Sequence, residues 1–329
     1  MQERSRQTGQ DGNDLPPTVL VVGSMMIDLV THVDRMPQAG ETLAGGPFEL
    51  GFGGKGANQA VMAHLLGAEV SLAGRVGDDL FGEQTVAHLD GIGVDVRHVQ
   101  STVEEVTGAA SILVEPSGEN RIVIAPGANR RTSVDDVERV FGAVAAPDVV
   151  LCQLEIDQEP VRRALELGRA CGAMTILNPA PAAALDPGTP SVVDWLVPNE
   201  PELQMLAAAS GFEGHRTEEL AARLAAQWHL GVVVTLGELG AYVISPDSAQ
   251  PSAAVPSPDV EVADTVGAGD AFVAAFAVAL AAGRAPVEAA TIGCRCAADA
   301  VTRPGTQASF LVSPILDELR AALHRGTSA

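Results

Sequence analysis

Short apolar runs rich in valine, isoleucine and leucine alternate along most of the chain with stretches that have helical spacing. The run at 18–23 (TVLVVG) contains no charged residue and ends in glycine, which is typical of a strand buried on both faces of a sheet. Five similar runs follow, at 70–74, 148–152, 174–177, 193–197 and 232–236, and the helical stretches between them include 58–66, 159–170 and 218–228. This alternation predicts an α/β fold with a doubly wound, mostly parallel sheet and helices on both faces.

Two regions interrupt the alternation. Segments 29–33 and 41–50 are short strand candidates, and so are 107–115 and 119–125, which are joined by the turn Pro116-Ser117-Gly118. We interpret them as a small β-sheet lid, formed from about 29–50 and 105–126, that closes over a ligand. The remainder of 16–329 is expected to be one domain, preceded by a polar tail at 1–15.

Charge and composition narrow the range of partners. The formal net charge of −22 argues against nucleic acid or an anionic membrane, because a strongly negative surface repels polyanions. A phosphate group therefore has to be held locally, by main-chain amides and a few cations. The tail lacks the apolar core of a signal peptide, and the four cysteines show no CxxC spacing, so we expect a cytoplasmic protein.

A glycine-rich segment at 51–59 (GFGGKGANQ) is the first candidate for chemistry. Gly51, Gly53 and Gly56 match the GxGxxG dinucleotide fingerprint, which would indicate a dehydrogenase, although the segment does not follow the first core strand. It is not a Walker A loop, because a glycine follows Lys55 where Ser or Thr should bind Mg²⁺. A glycine-rich turn without a ligand is the simplest alternative. We interpret the segment as a loop that presents amides, Lys55 and Asn58 to a polyhydroxylated ligand.

A second candidate, DTVGAGD at 264–270, directly precedes an apolar helix predicted at 271–282. Glycines at a helix entrance leave its first N–H groups free, and with the helix dipole these form an anion site. The dipole also favours an ionised Asp270, which can accept a proton from a hydroxyl that attacks phosphorus. An ordinary helix cap is the alternative, and the second glycine-rich segment upstream favours a site.

The two motifs together resemble the signature segments of the ribokinase-like (PfkB) sugar kinases. The resemblance extends from about residue 19 to 309 through the ordered segments VVGSxxxD, PxxGET, GFGGKGANQA, VGDDxFG, PGAN, CQLE, NPAPA, NExE, TLGExG, DTVGAGDAF and VTRPGTQ. It implies ATP-dependent phosphorylation of a sugar, with D-ribose expected at its O5 hydroxyl. Kinases of the same family for another sugar or a nucleoside, a dehydrogenase and a non-catalytic sugar sensor remain alternatives.

The resemblance also implies residue roles. Asp270 matches the catalytic base, and the amides of Gly267, Ala268 and Gly269 match the anion hole. The positions that match sugar contacts are Asp28, Gly54, Lys55, Gly56, Ala57, Asn58 and Glu155. Those that match nucleotide contacts are Asn199, Thr235, Leu236, Gly237, Glu238, Leu239, Gly240, Gly269 and Asp270. Glu202 matches a residue that binds Mg²⁺ through water, and the matching K⁺ ligands are Asp264, Val266, Ala300, Arg303, Gly305 and Ser309.

The chain departs from the family pattern at two positions. Met26 stands where many relatives have an asparagine two residues before the sugar-binding aspartate, so one hydroxyl contact is in question. Cys294 stands where some relatives have a polar side chain near the adenine. The exposed edges of the predicted lid further suggest a homodimer joined through the lids.

Overall fold

The structure, a computed structural model, describes residues 15–116, 119–214, 216–246 and 252–324. Residues 1–14 of the predicted tail lie outside this part of the chain, as do Ser117 and Gly118 of the predicted lid turn. None of the helices in the described ranges combines the length and the apolar character needed to traverse a bilayer.

Strands and helices alternate through the described residues. The strands are β1 (Thr18–Val22), β2 (Met26–His32), β3 (Phe48–Gly53), β4 (Glu69–Gly77), β5 (Asp95–Thr102), β6 (Gly108–Val114), β7 (Asn120–Ala125), β8 (Val149–Gln153), β9 (Met174–Asn178), β10 (Trp195–Leu196), β11 (Gly231–Thr235), β12 (Ala241–Ile244) and β13 (Ala253–Val255). The helices are α1 (Lys55–Leu65), α2 (Leu80–Ile92), α3 (Val134–Ala143), α4 (Gln158–Ala170), α5 (Glu200–Ala209), α6 (Thr217–Trp228), α7 (Ala268–Ala281), α8 (Pro286–Ala300), α9 (Gln307–Leu311) and α10 (Leu316–His324).

The central sheet has the order β13-β12-β11-β10-β9-β8-β1-β4-β5, and all its pairs from β11 to β5 are parallel. The last two strands at one end of the sheet are antiparallel: β12 pairs in this way with β11, and the edge strand β13 with β12. Successive residues of β1 point to opposite faces: Val19 and Val21 enter one core cluster and Leu20 and Val22 the other. One cluster includes α1, α7 and α8, and the other α4, α5 and α6. The predicted fold class is therefore confirmed.

Several predicted boundaries were wrong. The strand predicted at 193–197 is reduced to Trp195–Leu196, although the N–H groups of Asp194 and Val197 still donate to the carbonyls of Thr175 and Leu177 in β9. The strand predicted at 41–50 begins only at Phe48, because the preceding Gly-Gly-Pro favours a loop. Strands β5, β12 and β13 were missed, β5 because it is an edge strand with many polar residues, and β12 and β13 because each apolar run has only three or four residues.

A separate four-stranded sheet in the order β3-β2-β6-β7 forms the lid. Two side chains tie the lid to the core, the buried Asn129 and the half-buried Asp79. Asn129 accepts from the Met25 N–H at 3.0 Å and donates to the Met25 carbonyl at 2.8 Å. Asp79, the N-cap of α2, accepts from the Thr107 N–H at 2.8 Å and from its hydroxyl at 2.6 Å. The lid therefore leaves the core through fixed joints.

The chain reverses its direction of winding at β1. Strands β4 and β5 lie on one side of β1, and the chain then returns to place β8 on the other side. In open parallel sheets, ligands bind in the crevice at such a switch point, beyond the carboxyl ends of the strands. Here that crevice lies beyond Val22 and Gln153, where the lid connection and the CQLE segment also begin.

Candidate active site

Helix α1 begins against the end of β1, and glycine makes this approach possible. A Cβ at Gly56 would lie 2.5 Å from the Ser24 nitrogen, so no larger residue fits without displacing backbone. Gly54, the N-cap, has φ 89°, in the left-handed region that favours glycine. The Ala57 N–H donates to the Ser24 carbonyl at 2.9 Å, so this amide holds the helix in place and is not directed at a ligand.

Glu155 follows β8 and faces this first turn of α1. Its Oε2 accepts from the Ser24 hydroxyl at 2.5 Å and from the Lys55 N–H at 2.8 Å. The Gly56 N–H in turn donates to the Ser24 hydroxyl oxygen at 3.3 Å. A carboxylate held in this way keeps its other oxygen, Oε1, for a hydroxyl group of a ligand.

Asp28 extends the same acidic cleft from lid strand β2. Burial, followed by the charges of Glu155 and Asp270, raises the pKa of Asp28 to about 6. Its carboxylate lies against the backbone of β3, where a Cβ at Gly53 would come within 2.4 Å of it. The predicted sugar-binding carboxylates are thus brought together with Asp270.

Asp270 lies in the first turn of α7 and is buried, with 6% of its surface exposed. Its Oδ2 accepts from the Asn58 amide at 2.8 Å, and its Oδ1 accepts from the Gln59 amide at 2.9 Å. The Asp270 charge is the main reason that the pKa of Lys55 is raised, against the opposing effect of burial. A carboxylate and an ammonium therefore face the same space.

The predicted anion hole forms the entrance of α7. Gly267 is the N-cap with φ 84°, and a Cβ there would approach the Thr306 methyl group to 2.5 Å. Ala268 makes a 3.4 Å hydrogen bond to Thr265, and Gly269 is exposed with open space at its Cβ position. Since the first N–H groups of a helix have no intrahelical acceptor, this entrance can bind an anion.

Asn199 and Glu202, predicted near the phosphates, form a capping box at the start of α5. Glu202 accepts from the Asn199 N–H at 2.8 Å and from its side-chain amide at 3.0 Å, while Asn199 Oδ1 accepts from the Glu202 N–H at 2.8 Å. Burial raises the pKa of Glu202. With its oxygens already engaged, Glu202 fits contact with a hydrated Mg²⁺ better than direct ligation.

A cavity of about 840 Å³ lies beside the anion hole, between the 235–240 loop and α8. Of the predicted nucleotide residues it is lined by Thr235, Gly237, Glu238, Leu239, Gly240 and Gly269. Leu236 packs against the core cluster that includes α4, α5 and α6 and does not line this cavity. Cys294 lines it, and burial raises the pKa of its thiol to about 11, so the surface offered there is an uncharged thiol.

The predicted K⁺ ligands come from two segments that the fold brings together. Asp264 accepts from the Val266 N–H at 3.0 Å and from the Gly305 N–H at 2.9 Å. Arg303 donates from its side chain to the Ser309 carbonyl at 3.1 Å and from its backbone to the Ala300 carbonyl at 3.4 Å. Main-chain carbonyls with a single carboxylate form a donor set that fits K⁺.

Four buried amide side chains around Asp270 were not singled out in the sequence. They are Gln59, Gln153, Asn178 and Gln307, each no more than 7% exposed. Gln307 donates to Asn58 at 3.0 Å, and the other three form a chain that reaches Asp270. The available signal was their position: amides seldom lie within or at the end of an apolar run unless they are hydrogen-bonded.

Comparison with known proteins agrees with this arrangement. The family model of the pfkB family carbohydrate kinases matches residues 17–312. The chain belongs to the pfkB family of carbohydrate kinases. It is 38% identical over 264 residues to a ribokinase of Mus musculus, covering 80% of this chain and 81% of that protein.

Two further relatives cover almost their entire lengths. A deoxyribokinase of Salmonella typhi is 36% identical over 293 residues, which is 89% of this chain and 95% of that protein. The structure of an Arabidopsis thaliana ribokinase complexed with ribose and ATP matches with a TM-score of 0.81 at 30% identity, covering 94% of this chain and 99% of that chain.

Membership of this kinase family makes the dehydrogenase interpretation of GxGxxG wrong. The segment follows lid strand β3 and not the first core strand. Two of the amides that a pyrophosphate would require, those of Lys55 and Gly56, already donate to Glu155 and Ser24. The glycines of this carbohydrate kinase instead allow α1 to approach β1.

Ser24→Ala is expected to weaken sugar binding selectively. Loss of one hydrogen bond of about 1 kcal/mol would leave Glu155 less well oriented and raise KM for the sugar about 5-fold, with KM for ATP changed less than about 2-fold. Steady-state kinetics with each substrate varied provide the measurement. Ser71→Ala is the matched control, because that hydroxyl donates to Asp95 in the sheet, away from the cleft. Equal effects on both KM values would contradict the assignment.

The raised pKa of Asp28 predicts that kcat/KM for the sugar depends on pH. Since the pKa is raised to about 6, the carboxyl becomes neutral as pH falls through 6 and loses an acceptor for sugar hydroxyls. We expect kcat/KM for the sugar to fall below about pH 6, while KM for ATP stays constant. Asp28→Asn should abolish this inflection, and its persistence in that variant would assign the titration to another group. The free energy of unfolding changes in the opposite direction. Because the pKa of Asp28 is about 6 in the folded protein and 3.8 without the fold, stability falls as pH rises between these values and stays lower above pH 6.

Proposed function

We propose that this protein transfers the γ-phosphoryl group of ATP to the O5 hydroxyl of D-ribose and so forms ribose 5-phosphate and ADP. The relatives named ribokinase support the substrate, and the Arabidopsis relative is complexed with ribose and ATP. One observation carries the proposal: the Asp270 carboxylate opens onto the cleft that contains Asp28 and the first turn of α1. A sugar hydroxyl and a terminal phosphate can meet there.

In this mechanism Asp270 accepts the proton of the O5 hydroxyl as that oxygen attacks the γ-phosphorus and the bond to the β–γ bridging oxygen breaks. The amides of Gly267, Ala268 and Gly269 stabilise the negative charge on the transferring group. Lys55 faces the same space and supplies a positive charge. Catalysis therefore consists mainly of positioning and charge stabilisation.

Two carboxylates recognise the sugar in this proposal. Glu155 is fixed by Ser24 and the Lys55 amide, and Asp28 approaches from the lid. Each accepts hydrogen bonds from ring hydroxyls, and a carboxylate can bind two neighbouring hydroxyls at once. Because Asp28 belongs to the lid, sugar contacts help to hold the lid closed and exclude water that would otherwise hydrolyse ATP.

Two cations complete the proposal. Mg²⁺ would be bound by the phosphates and by waters near Glu202, neutralising phosphate charge. K⁺ would be bound by Asp264 and by carbonyls of Val266, Ala300, Arg303, Gly305 and Ser309. Because Asp264 is joined to both segments, this cation would stabilise the turn that leads into the anion hole.

We also propose a homodimer joined through the lids, in the cytoplasm. Strands β3 and β7 form the two edges of the lid sheet, and β7 carries exposed apolar side chains. Ile122, Val123 and Ile124 have 46%, 71% and 47% of their surface exposed. Sheet edges with apolar side chains of this kind are often covered by a partner.

A second candidate sugar is 2-deoxy-D-ribose. Met26 precedes Asp28 by two residues in β2, so both side chains lie on the same face of the lid sheet. A thioether cannot pair with a sugar hydroxyl as an amide would, so this position favours a ligand with one hydroxyl fewer. The Salmonella relative named deoxyribokinase supports this alternative.

Asp270→Asn is the direct test of the proposed reaction. An amide cannot accept the hydroxyl proton, so kcat should fall at least about 10²-fold, while KM for ATP changes little. ADP release with D-ribose, in the presence of Mg²⁺ and K⁺, is the measurement, and retention of ATP binding by calorimetry is the control. Turnover close to that of the parent would reject Asp270 as the base.

Met26→Asn tests the choice of sugar. If the added amide bonds a hydroxyl, KM for D-ribose should fall about 3- to 10-fold relative to KM for 2-deoxy-D-ribose, a difference expected for one hydrogen bond. Competition between the two sugars at saturating ATP measures the ratio. Met62→Leu, buried in α1, is the control for a change of core packing alone. An unchanged ratio in Met26→Asn would remove position 26 from the sugar site.

A further inference from the structure

Gln59 contacts Asp270 from a position that no ligand can reach. Its side chain donates to Asp270 Oδ1 at 2.9 Å, and the residue has 0% of its surface exposed. It therefore cannot bind sugar or nucleotide itself. Burying an amide in the core costs free energy unless all its groups are paired, so the partners of this amide show what it does.

The direction of the Gln59 amide is set by the backbone. The Val197 carbonyl can only accept, and it takes the Asn178 NH₂ group at 2.8 Å. Asn178 Oδ1 must then point towards Gln59, where it accepts from Nε2 at 3.1 Å. The same Nε2 therefore faces Asp270 as a donor, whatever the protonation state of the carboxyl group.

Gln153 contacts the other end of the Gln59 amide. Its NH₂ group donates to Gln59 Oε1 at 2.5 Å. Reversing the Gln59 amide would set its oxygen against oxygens of Asp270 and Asn178, and two favourable contacts would become repulsive. Gln153 could reverse together with Gln59, because its own Oε1 has no hydrogen-bond partner among the described residues. The orientation is therefore fixed by Asn178 and the Val197 carbonyl.

We propose that Gln59 is the positioning residue of the catalytic base, held in direction by Asn178 and the Val197 carbonyl. This rests on the proposed function of Asp270. The hydrogen bond to a charged oxygen is of the stronger kind and restricts rotation of the carboxylate, so that its remaining lone pairs face the hydroxyl. Lys55 supplies charge to the same site, but its three rotatable donors do not fix a direction.

A double-mutant cycle tests this inference. In the parent, Gln59→Met removes the donor while keeping volume, and kcat at saturating substrates should fall about 10-fold, with KM for ATP within about 2-fold. In the Asp270→Asn background the same change should lower the residual kcat less than about 2-fold, because there is no longer a base to position. A residue needed only for folding would give the same loss in both backgrounds.

Gln153→Met is the matched control. It removes an equally buried amide from the same chain, but Gln153 has no contact with Asp270, so kcat should fall less than about 3-fold at a comparable loss of thermal stability. Equal fold-losses of kcat for Gln59→Met in the two backgrounds, or an equal loss in Gln153→Met, would overturn the inference.

Gln59→Glu covers the case in which Gln59→Met does not fold. It keeps the shape of the side chain but sets a carboxyl group against the Asp270 carboxyl, so kcat should fall at least as far in the parent, and less in the Asp270→Asn background. As for Gln59→Met, the fold-loss of kcat in the parent is compared with the fold-loss in the Asp270→Asn background. Absence of sugar phosphorylation by the parent chain would overturn the proposed function and this inference together, whereas equal losses overturn the inference alone.

Discussion

The contact between the first turn of α1 and the backbone leaving β1 determines the geometry of the site. Gly56 lies so close to Ser24 that only glycine fits, and the Ala57 N–H is bonded to the Ser24 carbonyl. This contact places the Lys55 amide on Glu155 and the next two side chains of the helix, Asn58 and Gln59, on Asp270. A single turn of α1 thus contacts both Glu155 and Asp270, which come from different parts of the fold.

The negative charge of this protein opposes the binding of a nucleotide, which is itself negatively charged. With a net charge of −22, long-range attraction cannot bring ATP to the cleft, and Asp28, Glu155 and Asp270 add negative charge within it. Burial, followed by the charges of Glu155 and Asp270, raises the pKa of Asp28. Lys55 and the N-terminus of α7 offset the negative charge locally, where the low dielectric of the cleft makes each of them effective. The groups that can offset the negative charge therefore lie at the entrances of two helices, α1 and α7.

Local pattern was sufficient to predict the central strands and the two hairpin-like pairs of the lid. Apolar β-branched runs and glycine turns are local signals. The family resemblance identified Asp270, at the end of a glycine-rich segment, and Glu155, shortly after an apolar run. Edge strand β5 was missed because pairing on one side only does not require a continuous apolar run, and β12 and β13 were missed because they are short. Leu236 was assigned to the nucleotide loop by its motif, yet it faces the core, since a motif does not specify which face of a loop meets the ligand.

The amide chain could not be predicted for a different reason. Gln59, Asn178 and Val197 are separated widely in sequence, and their roles depend on which end of each amide faces which neighbour. Spacing carries no information about that orientation. It becomes defined only when the fold brings Gln59 of α1 against Asn178 at the end of β9, because the Val197 carbonyl then fixes every donor between itself and the carboxylate.

The two oxygens of Asp270 therefore belong to different parts of the molecule. Oδ1 is held through Gln59 by the ends of the central strands, which form the rigid core. Oδ2 is held by Asn58, which accepts from Gln307, and Gln307 is bonded at 2.9 Å to His88. The His88 ring stacks on Phe52 of lid strand β3 at a centroid distance of 3.9 Å. One side of the base is thus tied to the core and the other, through neutral groups that can exchange donor and acceptor roles, to the lid.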